Sequence, residues 1–247
     1  GTSVTISGLS AGTAYYFSVV PYNWNASVAQ TYNYRTAATI PTANATTFAA
    51  EPTGQVSSIG VGSININSLG GITWTDGDGS GRLLVAKAGS AVDVFPADGA
   101  SYTANAAFGT AGAHLGGGNY VVNNGLTKPF NMTGLEPDTI YHFRAFEFNG
   151  SGVTANYLTS TATGNPFSQT TMAGNPSSAA SSLSITAVGA NQFTISWVKG
   201  TTGTNTLILV KAGGISVKPA DLTSYTASTT FGGGSQIDDA TVVYTGT

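Results

Sequence analysis

Residues 135–143 read Leu-Glu-Pro-Asp-Thr-Ile-Tyr-His-Phe, and the run continues to Phe148-Asn149. Tyr141 and Phe143 flank His142, the period-2 spacing of a strand with one buried face. The same pattern stands near the start of the chain. Gly8-Leu9 with Thr13, Tyr15, Phe17 and Asn23 matches Gly134-Leu135 with Thr139, Tyr141, Phe143 and Asn149. Further matches extend the repeat toward the other end. Trp74 matches Trp197, and Lys87-Ala88-Gly89 matches Lys211-Ala212-Gly213. Pro96-Ala97-Asp98 with Tyr102 and Phe108-Gly109 matches Pro219-Ala220-Asp221 with Tyr225 and Phe231-Gly232. The offset drifts by a few residues, which places insertions and deletions in loops. Two units of roughly 123 residues fill the chain of 247.

Patterning within each unit is β. Ile72 and Trp74 alternate with Gly71 and Thr73; Phe193, Ile195 and Trp197 alternate with Thr194 and Ser196. Tyr15, Phe17 and Val19 do the same. Such runs, bounded by Gly, Asn and Pro clusters, predict half-buried strands of a sandwich or barrel. Asn124-Gly125 after Tyr120-Val121-Val122 predicts a hairpin, since both turn residues tolerate positive φ. No segment sustains a 3.6-residue period behind a cap, so almost no helix is expected.

These residues carry a resemblance. Leu135, Pro137, Thr139, Tyr141 and Phe143, ending in Phe148-Asn149, resemble the E–F corner and F strand of a fibronectin type III domain. Leu9, Thr13, Tyr15, Phe17 and Asn23 repeat it, with Ala11 where that family often has Pro. Trp74 and Trp197 sit where the family buries its B-strand Trp. The stretches between strands C and E are longer than in animal domains and are similar to tandem repeats in secreted and cell-surface proteins of Bacteroidetes. The resemblance covers essentially the whole chain. It implies an all-β, fibronectin type III (Ig-like) β-sandwich in a linear array, and fixes fold more than function.

The repeat is cut out of phase. Residues 51–173 are expected to form a complete domain. Residues 1–50 read as strands E–G of one repeat, and 174–247 as strands A–C′ of another. Val122 to Gly134 has the same spacing as Val243 to Gly8 across a junction of Thr247 with Gly1 of a second copy. A half sandwich leaves apolar faces and strand edges open. The expected partners are therefore neighbouring copies, head to tail, either within one long covalent array or by exchange of strands between chains.

Composition narrows the function classes. Charged residues are 8% of the chain, against about 25% in average soluble proteins. The net charge of −3 supplies no basic patch, so nucleic acid is not an expected partner. No apolar run approaches the roughly 20 residues of a membrane span. Hydrophobic residues are 41%, enough for a core, and there is no cysteine for disulfides or thiolate sites. Low charge with abundant Thr and Asn suits an exported surface protein, and the expected location is the cell exterior.

Several residue sets are candidate sites. Asp76-Gly77-Asp78-Gly79-Ser80-Gly81 resembles the start of a calcium loop, making Asp76, Asp78 and Ser80 a candidate cation site. No bidentate Glu follows, and the sister loop 199–204 has no acid, which favours a tight B–C turn. Asp238 and Asp239 are a lesser candidate. Trp24, with Tyr32 and Tyr34, could stack on sugar rings, so surface polysaccharide is a candidate ligand. The sister loop lacks such a Trp, which favours packing against the next unit. Thr139, in Asp138-Thr139-Ile140, is a candidate O-glycosylation residue, and equally a turn residue. Asn25, Asn44, Asn131 and Asn149 begin N-x-S/T sequons. Gly8-Leu9-Ser10-Ala11-Gly12 matches a nucleophile elbow, but Glu136 replaces the Ser in the sister repeat. His114 and His142 lack ligand spacing. No acid–base–nucleophile set recurs, so neither catalysis nor a cofactor is expected. Carbohydrate-binding repeats of a larger secreted enzyme or adhesin are the alternative to a shaft or filament.

Overall fold

The computed structural model describes residues 2–37 and 39–247. Its regular structure is strands plus two 3-10 turns, Ala29–Thr31 and Gly152–Thr154. The first segment carries β1 (Ala14–Ser18), β2 (Tyr22–Asn23), β3 (Asn33–Tyr34) and β4 (Thr42–Thr46). Then come β5 (Ser57–Gly60), β6 (Ser63–Ile64), β7 (Ser68–Thr75), β8 (Gly81–Ala88) and β9 (His114–Gly116). β10 (Asn119–Asn124), β11 (Phe130–Thr133), β12 (Ile140–Asn149), β13 (Asn156–Tyr157) and β14 (Phe167–Thr170) follow. The last segment holds β15 (Ser181–Val188), β16 (Phe193–Val198), β17 (Thr206–Val210), β18 (Gln236–Ile237) and β19 (Ala240–Gly246). The chain divides into two compact units, Gly1–Met172 and Ala173–Thr247.

Residues 51–172 fold as two antiparallel sheets. One runs β11-β7-β5, with β6 also on β7; the other runs β13-β12-β8-β10-β9, with β14 on β12. Their facing sides share one core, in which Ile72 and Trp74 of β7 meet Leu84 of β8 and Tyr141 and Phe143 of β12. The expected alternation is plain in β7, where Ile72 and Trp74 are buried and Thr73 and Thr75 exposed. Tyr141 also ties the corner before β12, because its hydroxyl accepts the Glu136 amide at 2.9 Å. The Tyr15 hydroxyl accepts the Ser10 amide at 2.8 Å in the same way.

β8 departs from the half-buried expectation. It is buried from Gly81 to Ala86, on both faces. Leu84 and Ala86 enter the shared core, while Leu83 and Val85 join a second cluster with Val121, Phe146 and Tyr157. The long segment between β8 and β9 covers that cluster, with Val92 buried and Tyr102 and Ala104 packed on it. The continuous apolar run Leu83-Leu84-Val85-Ala86 is what a strand covered on two sides requires.

Asn124-Gly125 is not a hairpin turn. β10 pairs with β8 and β9, whereas β11 pairs with β7 in the opposite sheet. Gly125 takes a positive φ of 132° but Asn124 does not, so the two-residue turn that needs both is not formed. The connection crosses from one sheet to the other.

The flanking segments repeat local pieces of this fold. β2 pairs with β3 through Tyr22–Tyr34 and Asn23–Asn33, as β12 pairs with β13 through Phe148–Tyr157 and Asn149–Asn156. β10 slips against β8 between Val121 and Asn123, and β19 slips against β17 between Val242 and Tyr244. Ser58 and Ser182, near the starts of β5 and β15, share positive φ angles of 52° and 53°.

Leu83→Ala tests the covering segment. With that face covered, the substitution costs about 2–5 kcal/mol, as for a core leucine. Urea unfolding followed by circular dichroism measures it. A loss within about 0.5 kcal/mol, the range of surface sites, would mean the outer face of β8 is open to water.

Candidate functional site

The described residues present two uncovered apolar faces, one on each flanking segment. In the segment before residue 51, β1 pairs with β4 alone, and residues 4–7 form no strand. By sequence match they correspond to β11 and the residues beside it. Met132 is 0% exposed but its counterpart Ile6 is 51%; Leu135 is 4% and Leu9 is 37%. Among the described residues no strand pairs with residues 4–7 as β7 pairs with β11.

The mirror situation occurs in residues 173–247. β15 pairs with β16, and the second sheet runs β17-β19-β18, with β17 at its end. Leu183 is 73% exposed, against 4% for its counterpart Ile59. Between the sheets lies a groove of about 520 Å³, lined by Ile195, Trp197, Ile208, Val210 and Phe231 among others. The matching residues Ile72, Trp74, Leu84, Ala86 and Phe108 close in residues 51–172 around Met132, Leu135, Tyr141 and Phe143. β8 there pairs along its whole length with β12, Phe143 standing opposite Ala86. β17 has no such neighbour among the described residues.

A third exposed feature is aromatic. The structure brings together all three residues of the candidate glycan contact. The Trp24 and Tyr32 rings stack at 4.8 Å and 10°, and the Tyr32 and Tyr34 rings at 6.0 Å and 11°. Tyr22 completes the cluster at 5.4 Å from Tyr32 and 5.2 Å from Tyr34. Trp24 Nε1 donates to the Val28 carbonyl at 3.1 Å, fixing the ring. Sequence reasoning did not single out Tyr22. Its cross-strand position opposite Tyr34 was visible only once β2 and β3 were paired.

The candidate cation loop is organised around hydrogen-bond donors of the chain itself. Asp78 Oδ1 accepts the amides of Thr53 and Gly54 at 3.0 and 2.8 Å, and Oδ2 accepts the Thr53 hydroxyl at 2.6 Å. The Thr53 hydroxyl and then the Gly54 amide hold the Asp78 carboxyl below the usual carboxylate range. Asp76 Oδ1 accepts from Lys128 Nζ at 2.7 Å and from Trp74 Nε1 at 3.1 Å. Lys128 is the main reason its carboxyl is likewise lowered. The Ser80 amide donates to Asn149 Oδ1 at 2.8 Å. In the sister loop Thr202 Oγ1 accepts the Ser177 and Ser178 amides at 2.8 and 3.0 Å, the place Asp78 takes. The shared requirement is an acceptor for those two amides, which a hydroxyl meets as well as a carboxylate.

Glu147 is the residue that sequence reasoning missed. Fully buried, it accepts the Gly77 and Gly79 amides at 2.8 and 3.1 Å and Arg82 Nε at 2.7 Å. Burial pushes its carboxyl upward, opposed by the Gly77 amide and the Arg82 charge. The loop glycines follow from this approach: a Cβ on Gly79 would collide with Glu147, and one on Gly81 with the Phe148 ring. The signal lay in Phe146-Glu147-Phe148, an acid inside an apolar strand.

The remaining candidates are dispersed. Thr139 Oγ1 donates to the Pro137 carbonyl at 2.9 Å, as Thr13 does to Ala11, which is the turn role both repeats share. Asp239 pairs with Lys211 at 2.6 Å. Ser10 lies in a turn between positive-φ glycines rather than before a helix. His114 is exposed; His142 is half-buried beside Arg144 and Phe167, less open than its outward position implied. No group of three or more His, Cys, Asp or Glu with metal-holding geometry occurs among the described residues. A scan against protein-family models finds no match, and a search of curated proteins finds no similar chain.

Glu147→Ala is expected to cost about 3–5 kcal/mol, because it orphans the Gly77 and Gly79 amides and leaves the buried Arg82 with only the half-exposed Asp76, 3.2 Å away. Urea unfolding is the measurement, with the exposed Glu136→Ala as control. Equal, small losses in the two variants would contradict a buried ionic anchor.

Proposed function

We propose that this is a non-catalytic structural protein of the cell exterior, a tandem array of fibronectin type III-like β-sandwiches serving as a stalk, adhesin shaft or head-to-tail filament. In this reading residues 1–50 supply strands E–G, 51–173 a whole repeat, and 174–247 strands A–C′. The strand orders E-B-A and G-F-C-C′ support it, taking β11-β7-β5 and β14-β12-β8-β10 in turn. So does the tyrosine that ties each E–F corner, a hallmark of Ig-like sandwiches.

One observation carries the assembly. Each flanking segment exposes the core positions of the complete repeat, and each lacks the strands that the other possesses. Docked as in residues 51–172, β1 lies beside β17, with Tyr15 opposite Ala212 and Phe17 opposite Val210. Val4, Ile6, Val19, Leu183, Ile185 and Phe193 all leave water. At about 1.5–3 kcal/mol for each side chain, the gain is roughly 9–18 kcal/mol. That is comparable to, or above, the association cost of about 4–15 kcal/mol. Because the two faces are different surfaces the contact is heterologous, and copies add head to tail into an open filament wherever the rotation from one to the next does not close a ring. The low charge suits the cell exterior and keeps repulsion between adjacent repeats small.

A second reading is kept for one reason: the exposed aromatic cluster at Trp24 has the form of a sugar-stacking platform. Carbohydrate-binding repeats of a large secreted enzyme or adhesin would use it.

Sedimentation velocity separates these. The chain is expected to form species that lengthen with concentration, whereas Ile6→Asp stays monomeric, since it sets a carboxylate into the apolar groove. Ile6 lies in a segment without strand pairing, so the monomer's circular dichroism is unchanged. A wild-type chain that remains monomeric, and binds a polysaccharide in a manner lost in Trp24→Ala, would favour the second reading.

A further inference from the structure

In residues 51–172 the segment covering the outer sheet face is clasped at three points to β13 and the residue before it. The Gly99 amide donates to the Ala155 carbonyl at 2.8 Å. The Tyr157 amide donates to Asp98 Oδ1 at 2.8 Å, and the Tyr157 hydroxyl to the Ala100 carbonyl at 3.0 Å. The Tyr102 ring stands edge-on to Tyr157 at 5.9 Å. Two features shape the segment: the Ala97 amide donates to the Tyr102 hydroxyl at 2.9 Å, and Gly99 has a φ of 72°.

Each flanking segment holds one half of this clasp. In the first, β3 is the counterpart of β13. The Arg35 amide donates to the Pro21 carbonyl as Leu158 donates to Glu147, so Tyr22–Tyr34 and Phe148–Tyr157 are both non-hydrogen-bonded pairs. The Tyr34 amide therefore points off the sheet, as the Tyr157 amide does, and it finds no acceptor among the described residues. No covering segment lies over the ring cluster, and Tyr34 is 51% exposed.

The other half is in residues 173–247, already in its docked shape. The Ala220 amide donates to the Tyr225 hydroxyl at 2.9 Å. Leu222, in the place of Gly99, takes a φ of 59°, which a leucine rarely adopts. Asp221 and Leu222 are exposed.

We propose that residues 221–225 of another copy of this chain clasp β3 and seal the aromatic cluster. The Tyr34 amide donates to the Asp221 carboxylate, and its hydroxyl to the Thr223 carbonyl. The Leu222 amide donates to the Tyr32 carbonyl, and the Tyr225 ring stands against Tyr34. This rests on the end-to-end joining proposed above. It assigns the exposed rings to a protein neighbour rather than to a sugar, and it adds a directional polar lock to the apolar groove. A carboxylate accepting a backbone amide is among the stronger hydrogen bonds.

Two dead-end variants of the full chain test it. Ile195→Asp blocks the groove and keeps β3; Ile6→Asp blocks the segment that fills the groove and keeps the clasp loop. Each alone is monomeric, and a mixture gives a 1:1 dimer. In that dimer, hydroxyl-radical footprinting shows Tyr22, Trp24 and Tyr34 of the Ile195→Asp partner protected relative to the free variant. Adding Asp221→Ala to the Ile6→Asp partner weakens the dimer by about 10-fold or more. Tyr34→Phe in the other partner weakens it by a smaller factor. A dimer whose rings stay as reactive as in the monomer, with affinity unmoved by Asp221→Ala, overturns the clasp and leaves the joining intact. Absence of any dimer overturns both.

Discussion

The ladder between β8 and β12 is the interaction on which the rest depends. It runs from Tyr141–Ala88 to Phe148–Gly81 and puts one face of each strand into the core shared with the β7 sheet. A sheet with an apolar face is stable only when that face is covered, and a pair of strands alone is marginal. Where the ladder exists, Leu84, Phe143 and Trp74 are buried. Without that ladder the matching Ile208, Phe17 and Trp197 are only half-buried. β1 and β17, which match β12 and β8 in sequence, pair with β4 and β19 respectively and not with each other.

The polar features serve the same architecture. Glu147 at the far end of β12 gathers the Gly77 and Gly79 amides and Arg82, and so closes the turn between β7 and β8. Asp78 in that turn reaches back to the start of the repeat at Thr53 and Gly54. The alternate acids that spell a calcium loop are thus acceptors for backbone and side-chain donors. In residues 173–247 a threonine does the same work.

Much of this was legible in the residues. Matching Tyr141 to Tyr15 and Trp74 to Trp197 located the repeated strands, because core positions keep residue type while loops drift. The aromatic triad Trp24, Tyr32 and Tyr34 was legible as a set, although Tyr22 was not. What could not be read depended on contacts distant in sequence. The two-sided burial of β8 required the segment after it to fold back over Leu83 and Val85. Glu147 required the pairing register that sets it against Gly77, 70 positions away. Asn124-Gly125 carried a local turn signal that was overridden, because β11 gains more by pairing with β7 across the core.

Hydrogen exchange of the amides in β1 and β16, followed as a function of protein concentration, tests the central claim most directly. Exposed two-stranded ladders open easily, and buried ones open only with the whole fold. If the two faces complete one another, both strands exchange rapidly in dilute solution and slow together toward the protection of β8 and β12 as copies join. If β1 and β16 exchange at the same fast rate at every concentration while β8 stays protected, the halves do not complete each other and the account is wrong.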